Sequence, residues 1–164
     1  MFINFPLVHQ IMTFTLLSSK EAKTFRKRIE ERWGVVVPRE HSFFKSTSGK
    51  IFAITKDASN IDISSLRLSS LGLYIADDTY GLRLSVEGAQ LYCKDAKTNV
   101  IELSLEQKKM WMQGKDIIFE PVSPISPNVS DGWVVLRSEK AVLGCGLVKK
   151  KVLKNYYPKA RRTP

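Results

Sequence analysis

The stretch Gly132–Arg162, GWVVLRSEKAVLGCGLVKKKVLKNYYPKARR, determines the fold that this sequence predicts. Two apolar runs, Trp133–Leu136 and Ala141–Val148, are separated by a polar turn at Ser138–Lys140, which predicts a buried hairpin. A basic, aromatic, proline-stopped segment follows. From Lys140 to the last residue there are eight Lys or Arg and no Asp or Glu, so most of the net charge of +10 lies here. A hairpin that leads into cations and rings is typical of a surface that binds polyanions.

The candidate RNA-binding residues lie in this segment, with two more on an upstream helix. They are Lys149, Lys150, Lys151, Lys154, Asn155, Tyr156, Tyr157, Lys159, Arg161 and Arg162, with Lys108 and Lys109 on the helix. In an extended strand Lys149 and Lys151 would point to one face and Lys150 to the other, so they cannot all contact one ligand. If about five cations engage single-stranded RNA, the affinity should fall with salt at a log–log slope of roughly −3.5. A solvated tail is the alternative interpretation.

Several uncharged residues of the same stretch leave alternatives open. Tyr156 and Tyr157 are adjacent and should differ in role, one docking on the folded domain and the other free to stack on a base. Asn155 could read a base edge or cap a turn. Gly144 and Gly146 lack the third glycine and the strand–helix context of a dinucleotide fingerprint, so close backbone packing is favoured over phosphate binding.

The order of these motifs resembles a known family. GWVVL, LGCG and LKNYYPKARR are similar to the C-terminal end of the RsmF (Sun-type) rRNA cytosine methyltransferases, where the corresponding strands close a PUA-like RNA-binding region. The resemblance continues more weakly into SLGLYIADDTYGLRLSVEGAQLY, and the layout is also similar to Nip-type ribosome-biogenesis proteins with a C-terminal PUA domain. It implies rRNA or tRNA as the partner, in ribosome biogenesis or RNA modification. An RNA-modifying enzyme or a ribosome-assembly factor is a further implied partner. The corresponding PUA helix lies beside bound RNA, which is why Lys108 and Lys109 are included.

The predicted fold class is α+β, with a small N-terminal α/β domain over residues 1–94 and a PUA-like β pseudo-barrel over residues 99–164. Residues 95–98 are the predicted linker. A capping box at Ser18–Glu21 begins a helix that Gly34 ends, and its apolar face is formed at three- and four-residue spacing. Ser104 should cap a second long helix, Leu105–Gln113. The apolar face of the first helix consists of Ala22, Phe25, Ile29 and Trp33.

The remaining predicted elements are short. Strands are expected over 12–17, 35–37, 66–75, 80–86, 99–103 and 116–120, with a hairpin over 43–55, a short helix over 87–92 and a proline-rich loop over 121–128. Within the helix over 87–92, Ala89 and Leu91 should pack inward. Trp111 and Trp133 are expected to be core residues rather than stacking platforms.

Composition and motif content argue against several classes of function. Cys93 and Cys145 are too few and too far apart for a zinc site or a disulfide framework, and no run is long enough to cross a bilayer. The apolar N-terminus lacks the positive n-region of a signal peptide; Met12 is a candidate start, and a cytoplasmic protein with no membrane partner is expected. His9 and His41 lack a nucleophile setting, His41 is expected in a loop, and the glycine-rich loop and Pro-Cys element of the resembled enzymes are absent.

The sequence therefore predicts a non-catalytic RNA-binding protein with no catalytic residue, metal or cofactor. Two other classes of function stay open. One is a protein–protein adaptor for an RNA methyltransferase or pre-ribosomal particle, in which the basic segment binds an acidic protein surface. The other is an enzyme with an unrecognised site, which a cleft holding His41 together with carboxylates would support.

Overall fold

A computed structural model describes residues 13–57, 71–119 and 129–164. The described residues form two five-stranded sheets and three helices, which confirms the predicted α+β class. The strands are β1 Phe14–Leu16, β2 His41–Ser46, β3 Lys50–Thr55, β4 Leu73–Asp77, β5 Arg83–Leu84, β6 Val100–Glu102, β7 Ile117–Ile118, β8 Gly132–Ser138, β9 Ala141–Lys149 and β10 Val152–Lys154. The helices are α1 Ser19–Trp33, α2 Val86–Tyr92 and α3 Leu105–Met112, and a single 3-10 turn spans Lys159–Arg161.

Helix α1 begins and ends where its sequence predicts. The Ser18 side chain accepts a hydrogen bond from the Glu21 backbone N–H while the Glu21 carboxylate accepts one from the Ser18 N–H, so the capping box is complete. Gly34 ends the helix in the left-handed region, at φ 62°, and donates its N–H to the Glu30 carbonyl. The four residues predicted for the apolar face are all buried: Ala22, Phe25, Ile29 and Trp33.

The first sheet has the order β1-β2-β3-β4-β5 and is antiparallel throughout. Helix α2 lies so close to it that a Cβ on Gly88 would be 2.0 Å from the Ile75 carbonyl oxygen. On its other side α2 contacts β9, where the Gln90 side chain donates to the Val142 carbonyl. Helix α2 is therefore wedged between the two sheets, which makes its small residues a packing requirement.

The second sheet has the order β6-β8-β9-β10-β7, with β6 parallel to β8 and the other pairs antiparallel, and it curls into a half-barrel. Both of its faces are covered along the middle of β8. Val135 packs into the core shared with α1 and the first sheet, while Val134 and Leu136 pack into a second core that contains Trp111 of α3. Burial on both faces explains why this strand is a continuous apolar run rather than an alternating one.

Two arginines join the second sheet to the helices beneath it. Arg32 at the end of α1 donates from Nη2 to the Trp133 carbonyl at 2.9 Å. Arg137 donates to three backbone carbonyls at the end of α2, at 2.7–3.0 Å. They follow the last helical turn, and the Cys93 carbonyl also accepts from the Ala96 N–H. The core that contains Val135 includes side chains from both sides of residues 94–99. The division of the chain into two domains at that point stays a prediction.

Several element predictions were wrong. Residues 35–37 form no strand, because the Val37 N–H donates to the Glu30 side chain instead of to a neighbouring strand. The strand expected over 80–86 shrinks to Arg83–Leu84, since α2 already begins at Val86. Leu91 is 41% exposed rather than packed inward, whereas Ala89 is buried as expected. The expectations for residues 1–12, 66–70 and 121–128 lie outside the described residues.

Candidate nucleic-acid interface

The β9–β10 hairpin places three lysines at its tip. Lys149 ends β9, and Lys150 and Lys151 form a two-residue turn with φ values of 50° and 63°. All three side chains are exposed, and none forms an ion pair with another described residue. The prediction that these lysines alternate along one strand was wrong, because the chain reverses direction at Lys150. The reversal gathers three positive charges at one end of the sheet.

Cross-strand register places two of the cations on the same face as an aromatic ring. Trp133 pairs with Leu147, and Leu147 pairs with Lys154, so these three side chains share one face. One step further out, Lys149 lies on this face opposite Val152, which in turn pairs with Ile118. We call this surface the open sheet face, because the N-terminal core covers this side of the sheet only as far as Val135 and Cys145. It consists of Ile118, Trp133, Leu147, Lys149, Val152 and Lys154. Its most exposed apolar member is Ile118, at 73%.

Lys154 is already paired. Its Nζ lies 2.8 Å from Oδ2 of Asp116, which immediately precedes β7. The ammonium, together with the Asn155 N–H that donates to Oδ1, lowers the pKa of the Asp116 carboxyl. A phosphate at Lys154 would have to share this cation with the carboxylate, so Lys154 is a weaker candidate than the lysines of the hairpin tip.

Asn155 is occupied by backbone groups. Its Nδ2 donates to the carbonyls of Trp111, at 2.8 Å, and Lys115, at 3.1 Å, and its Oδ1 accepts from the Tyr157 N–H at 2.9 Å. The Trp111 carbonyl belongs to the last turn of α3, and the Lys115 carbonyl lies three residues after the helix ends. Of the two alternatives that the sequence leaves open, the geometry supports the cap.

The two adjacent tyrosines have different environments. Tyr157 is half-buried against the core that contains Trp111. Tyr156 is 43% exposed, and its ring meets that of Trp133 edge to face, with centroids 4.7 Å apart. Trp133 itself is half-buried and packs against the N-terminal core, so its predicted core position is met only in part. Trp111 is fully buried, as expected.

Arg83 is a site residue that the sequence analysis missed. Its guanidinium carbon lies 5.6 Å from the ring centroid of Trp133 and 5.6 Å from that of Tyr156. Asp77 holds the same guanidinium from β4, at 3.3 Å. Arg83 lies fifty residues before Trp133 in an unremarkable strand, so only the Leu-Arg-Leu alternation around it could have indicated an outward side chain.

The C-terminal tail folds back over the end of α3. The Thr163 N–H donates to the Met112 carbonyl, and the Arg162 guanidinium occupies the space where a Cβ on Gly114 would lie. Arg161 forms an ion pair with Glu87 of α2, whereas Lys159 is exposed in the 3-10 turn. Arg161 and Arg162 are therefore bound to neighbouring groups of the protein while both residues remain exposed.

The structure does not bring Lys108 and Lys109 to the open sheet face. Helix α3 covers the opposite face, where its Trp111 contacts the Gly146 position. Lys108 also pairs with Glu139 at the β8–β9 turn, which lies about 26 Å along β9 from the hairpin tip. The predicted cations thus divide into two separate surfaces.

The glycines of β9 are explained by packing, since a Cβ on Gly146 would be 2.5 Å from Leu153.

The described residues show little that resembles a catalytic or metal centre. No group of three or more His, Cys, Asp or Glu side chains within them could hold a metal ion. Burial raises the pKa of Cys93 to about 12, and it also raises the pKa of Cys145, so both thiols are protonated at neutral pH. His41 begins β2 rather than lying in a loop, and its Nδ1 is 3.0 Å from the Tyr92 hydroxyl.

Across the described ranges, no helix is both long and apolar enough to pass through a membrane.

The C-terminal region combines a curled sheet with α3 and a basic tail. Residues 98–163 match the family model described as the methyltransferase RsmF PUA domain, which confirms the resemblance drawn from GWVVL, LGCG and LKNYYP. The similarity of layout to Nip-type proteins stays a prediction.

Two curated relatives extend the similarity beyond this domain. They are the ribosomal RNA small subunit methyltransferases F of Vibrio parahaemolyticus serotype O3:K6 and Vibrio campbellii, each 26% identical over 147 residues, or 89% of this chain. The chain spans 30% of the length of either relative. The aligned region reaches well into the N-terminal part, so the similarity includes residues on both sides of 94–99.

Proposed function

We propose that this protein binds RNA without catalysing a reaction on it, using the hairpin tip and the open sheet face of its PUA-like domain. The observation that carries the proposal is the placement of Lys149, Lys150 and Lys151, which have no ion-pair partner among the described residues, at the end of a sheet whose open face also carries the half-exposed ring of Trp133. Phosphates are attracted to unpaired cations, and rings provide contact to bases. The match to an RsmF PUA domain supports the same conclusion.

Ribosomal RNA is the proposed ligand, because the two relatives reported above are ribosomal RNA methyltransferases. Transfer RNA is the other structured RNA that the proposal includes. An RNA-modifying enzyme or a ribosome-assembly factor is the proposed protein partner, and the cytoplasm is the proposed location. No membrane partner is proposed.

The salt dependence of RNA binding tests the phosphate contacts. If the three tip lysines each neutralise one phosphate of a single strand, the log–log slope of affinity against salt should be about −2. This slope is shallower than the value of roughly −3.5 expected from the sequence, because Lys154 and Arg161 are already paired with carboxylates. Fluorescence anisotropy of a labelled rRNA fragment at several salt concentrations measures it.

A matched pair of charge reversals locates the contacts. Replacing Lys150 and Lys151 by Glu should reduce the slope to about −0.7 and weaken binding at low salt. Replacing Lys20 and Lys23 by Glu changes the net charge equally on exposed positions of α1 and should leave the slope nearly unchanged. Equal losses in both variants would show that binding depends on total charge rather than on the hairpin tip.

An adaptor role is the second candidate, and the apolar part of the open sheet face favours it. Ile118 is largely exposed beside Val152, and such a pair is a better contact for a protein than for phosphate. If the adaptor role is correct, replacing Ile118 by Asp should abolish capture of a partner protein in RNase-treated extract. If RNA binding is the main function, the Lys150 and Lys151 reversals should lower RNA affinity more than the Ile118 change does.

A further inference from the structure

A cluster of three side chains lies where the two sheets meet, away from the hairpin tip. Arg83 comes from β5, Trp133 from the start of β8, and Tyr156 from the segment after β10. The two rings meet edge to face at 4.7 Å, and the guanidinium is 5.6 Å from each centroid. Sites that bind a flat, electron-rich ring combine an arginine with aromatic side chains, as this cluster does.

The cluster is not closed inside the core. Trp33 and Trp111 are fully buried, whereas Trp133 is half-buried, and 43% of Tyr156 is exposed. Asp77, through one contact of 3.3 Å, and the Tyr74 hydroxyl, which is hydrogen-bonded to Arg83, occupy only part of a guanidinium that has five N–H donors. Ring surface and donors therefore remain available to a ligand.

A groove of about 560 Å³ runs from this cluster between the sheets. This volume is within the range of pockets that enclose small organic ligands. Its walls include Lys50 from β3 and Arg161 from the tail, so cations lie along its length. Glu87 also lines it but is already paired with Arg161, and Arg83 is paired with Asp77, which leaves Lys50 as the position for a phosphate.

We propose that Arg83, Trp133 and Tyr156 form a stacking site for one unpaired nucleobase of the bound RNA, with the adjacent phosphates in the groove towards Lys50. This inference rests on the proposed RNA-binding function and specifies what the site accepts. A base within a duplex has both faces stacked and cannot enter, so the ligand class is single-stranded RNA in a loop, bulge or end. Stacking accepts any base, so little base preference is expected.

The site requires both parts of the chain. Arg83 belongs to the N-terminal sheet, whereas the two rings belong to the region that matches the PUA domain. The first sheet thus contributes a side chain to the RNA site in addition to supporting the second sheet.

Tryptophan fluorescence gives a direct test, because only Trp133 of the three tryptophans is accessible to a ligand. Titration of the full chain with a single-stranded oligoribonucleotide should quench the emission, and an RNA duplex of the same length should not. Replacing Tyr156 by Ala should weaken single-strand binding about 5- to 150-fold, the loss that corresponds to one stacked base. Tyr156→Phe retains the ring and should bind like the parent chain.

Tyr80 provides the matched control. It is 93% exposed on the turn before β5 and forms none of the ring or cation–π contacts of the cluster, so Tyr80→Ala should leave affinity and quenching unchanged. Salt-dependent binding by anisotropy without quenching, or an unchanged affinity in Tyr156→Ala, would refute the stacking site while the RNA-binding function stands. Absence of any binding by anisotropy would refute both.

Discussion

Asn155 connects the C-terminal segment to the end of α3, and its replacement should therefore lower stability rather than RNA affinity. Asn155→Ala removes three hydrogen bonds, two to the carbonyls of Trp111 and Lys115 and one from the Tyr157 N–H. Each is worth about 1 kcal/mol net. Because water can reach the Lys115 carbonyl, the expected loss is about 2 kcal/mol rather than 3, or a fall in Tm of about 4–8 °C for a chain of this size.

Asn155→Asp is the sharper test of the same contacts. It keeps the acceptor for Tyr157 but turns the two donated bonds into repulsion between a carboxylate and two carbonyls, beside the Asp116 carboxylate. The loss at pH 7 should be at least as large as that of Asn155→Ala. The folded state should raise the pKa of the introduced carboxyl, so the deficit is fully present at neutral pH and shrinks as the pH falls through that raised value.

Urea unfolding measures both effects, since the buried ring of Trp111 reports on the same end of α3. RNA affinity is measured on the folded variants in parallel. A change in unfolding free energy below about 0.5 kcal/mol for Asn155→Ala would refute the capping role. A tenfold loss of RNA affinity at unchanged stability would show instead that this amide reads a base.

Three further outcomes follow from the packing. Gly88→Ala would stabilise an isolated helix by up to about 1 kcal/mol. In this protein it should lower the free energy of unfolding in urea by more than about 3 kcal/mol, because the new Cβ would clash with the Ile75 carbonyl. A stable variant would contradict the position of α2. Cys93 and Cys145 should resist a thiol reagent at pH 8 in the folded protein and react in urea, since both are buried and have raised pKa values; fast labelling of the native chain would count against this. The pKa of Asp116 is lowered in the folded state, so this carboxylate stabilises the protein above about pH 4 and loses that contribution as the pH falls. Asp116→Asn should therefore reduce the loss of stability in acid by less than about 1 kcal/mol. A larger loss of stability in acid would refute the assignment.

Local chemistry explains which elements could be predicted from the sequence. Helices α1 and α3 begin at complete capping boxes, at Ser18 and Ser104, because the capping residues lie three positions apart and need no tertiary partner. The β8–β9 hairpin followed in the same way from two apolar runs around a polar turn. The strand predicted over 35–37 failed because the Val37 N–H donates to the Glu30 side chain of α1, a tertiary contact that β-propensity does not report.

The candidate site was predictable only where its residues are contiguous. The lysines of the hairpin tip stand next to one another, so their charge is visible in the sequence, but their arrangement depends on a turn at Lys150–Lys151 where neither residue is Gly or Asn. Arg83 could not be found, because its aromatic partners are fifty and more residues away. The role of Asn155 needed the position of α3, which sequence spacing leaves undetermined.

The shared core beneath β8 limits how this chain can be divided. A truncated chain that begins at residue 98 would keep every strand of the second sheet but would bare Val135 and Cys145, which α1 and the first sheet now cover. Exposed apolar area of this kind drives self-association. Sedimentation of such a piece should therefore reveal aggregates that grow with protein concentration, whereas the chain of residues 1–164 should stay dispersed.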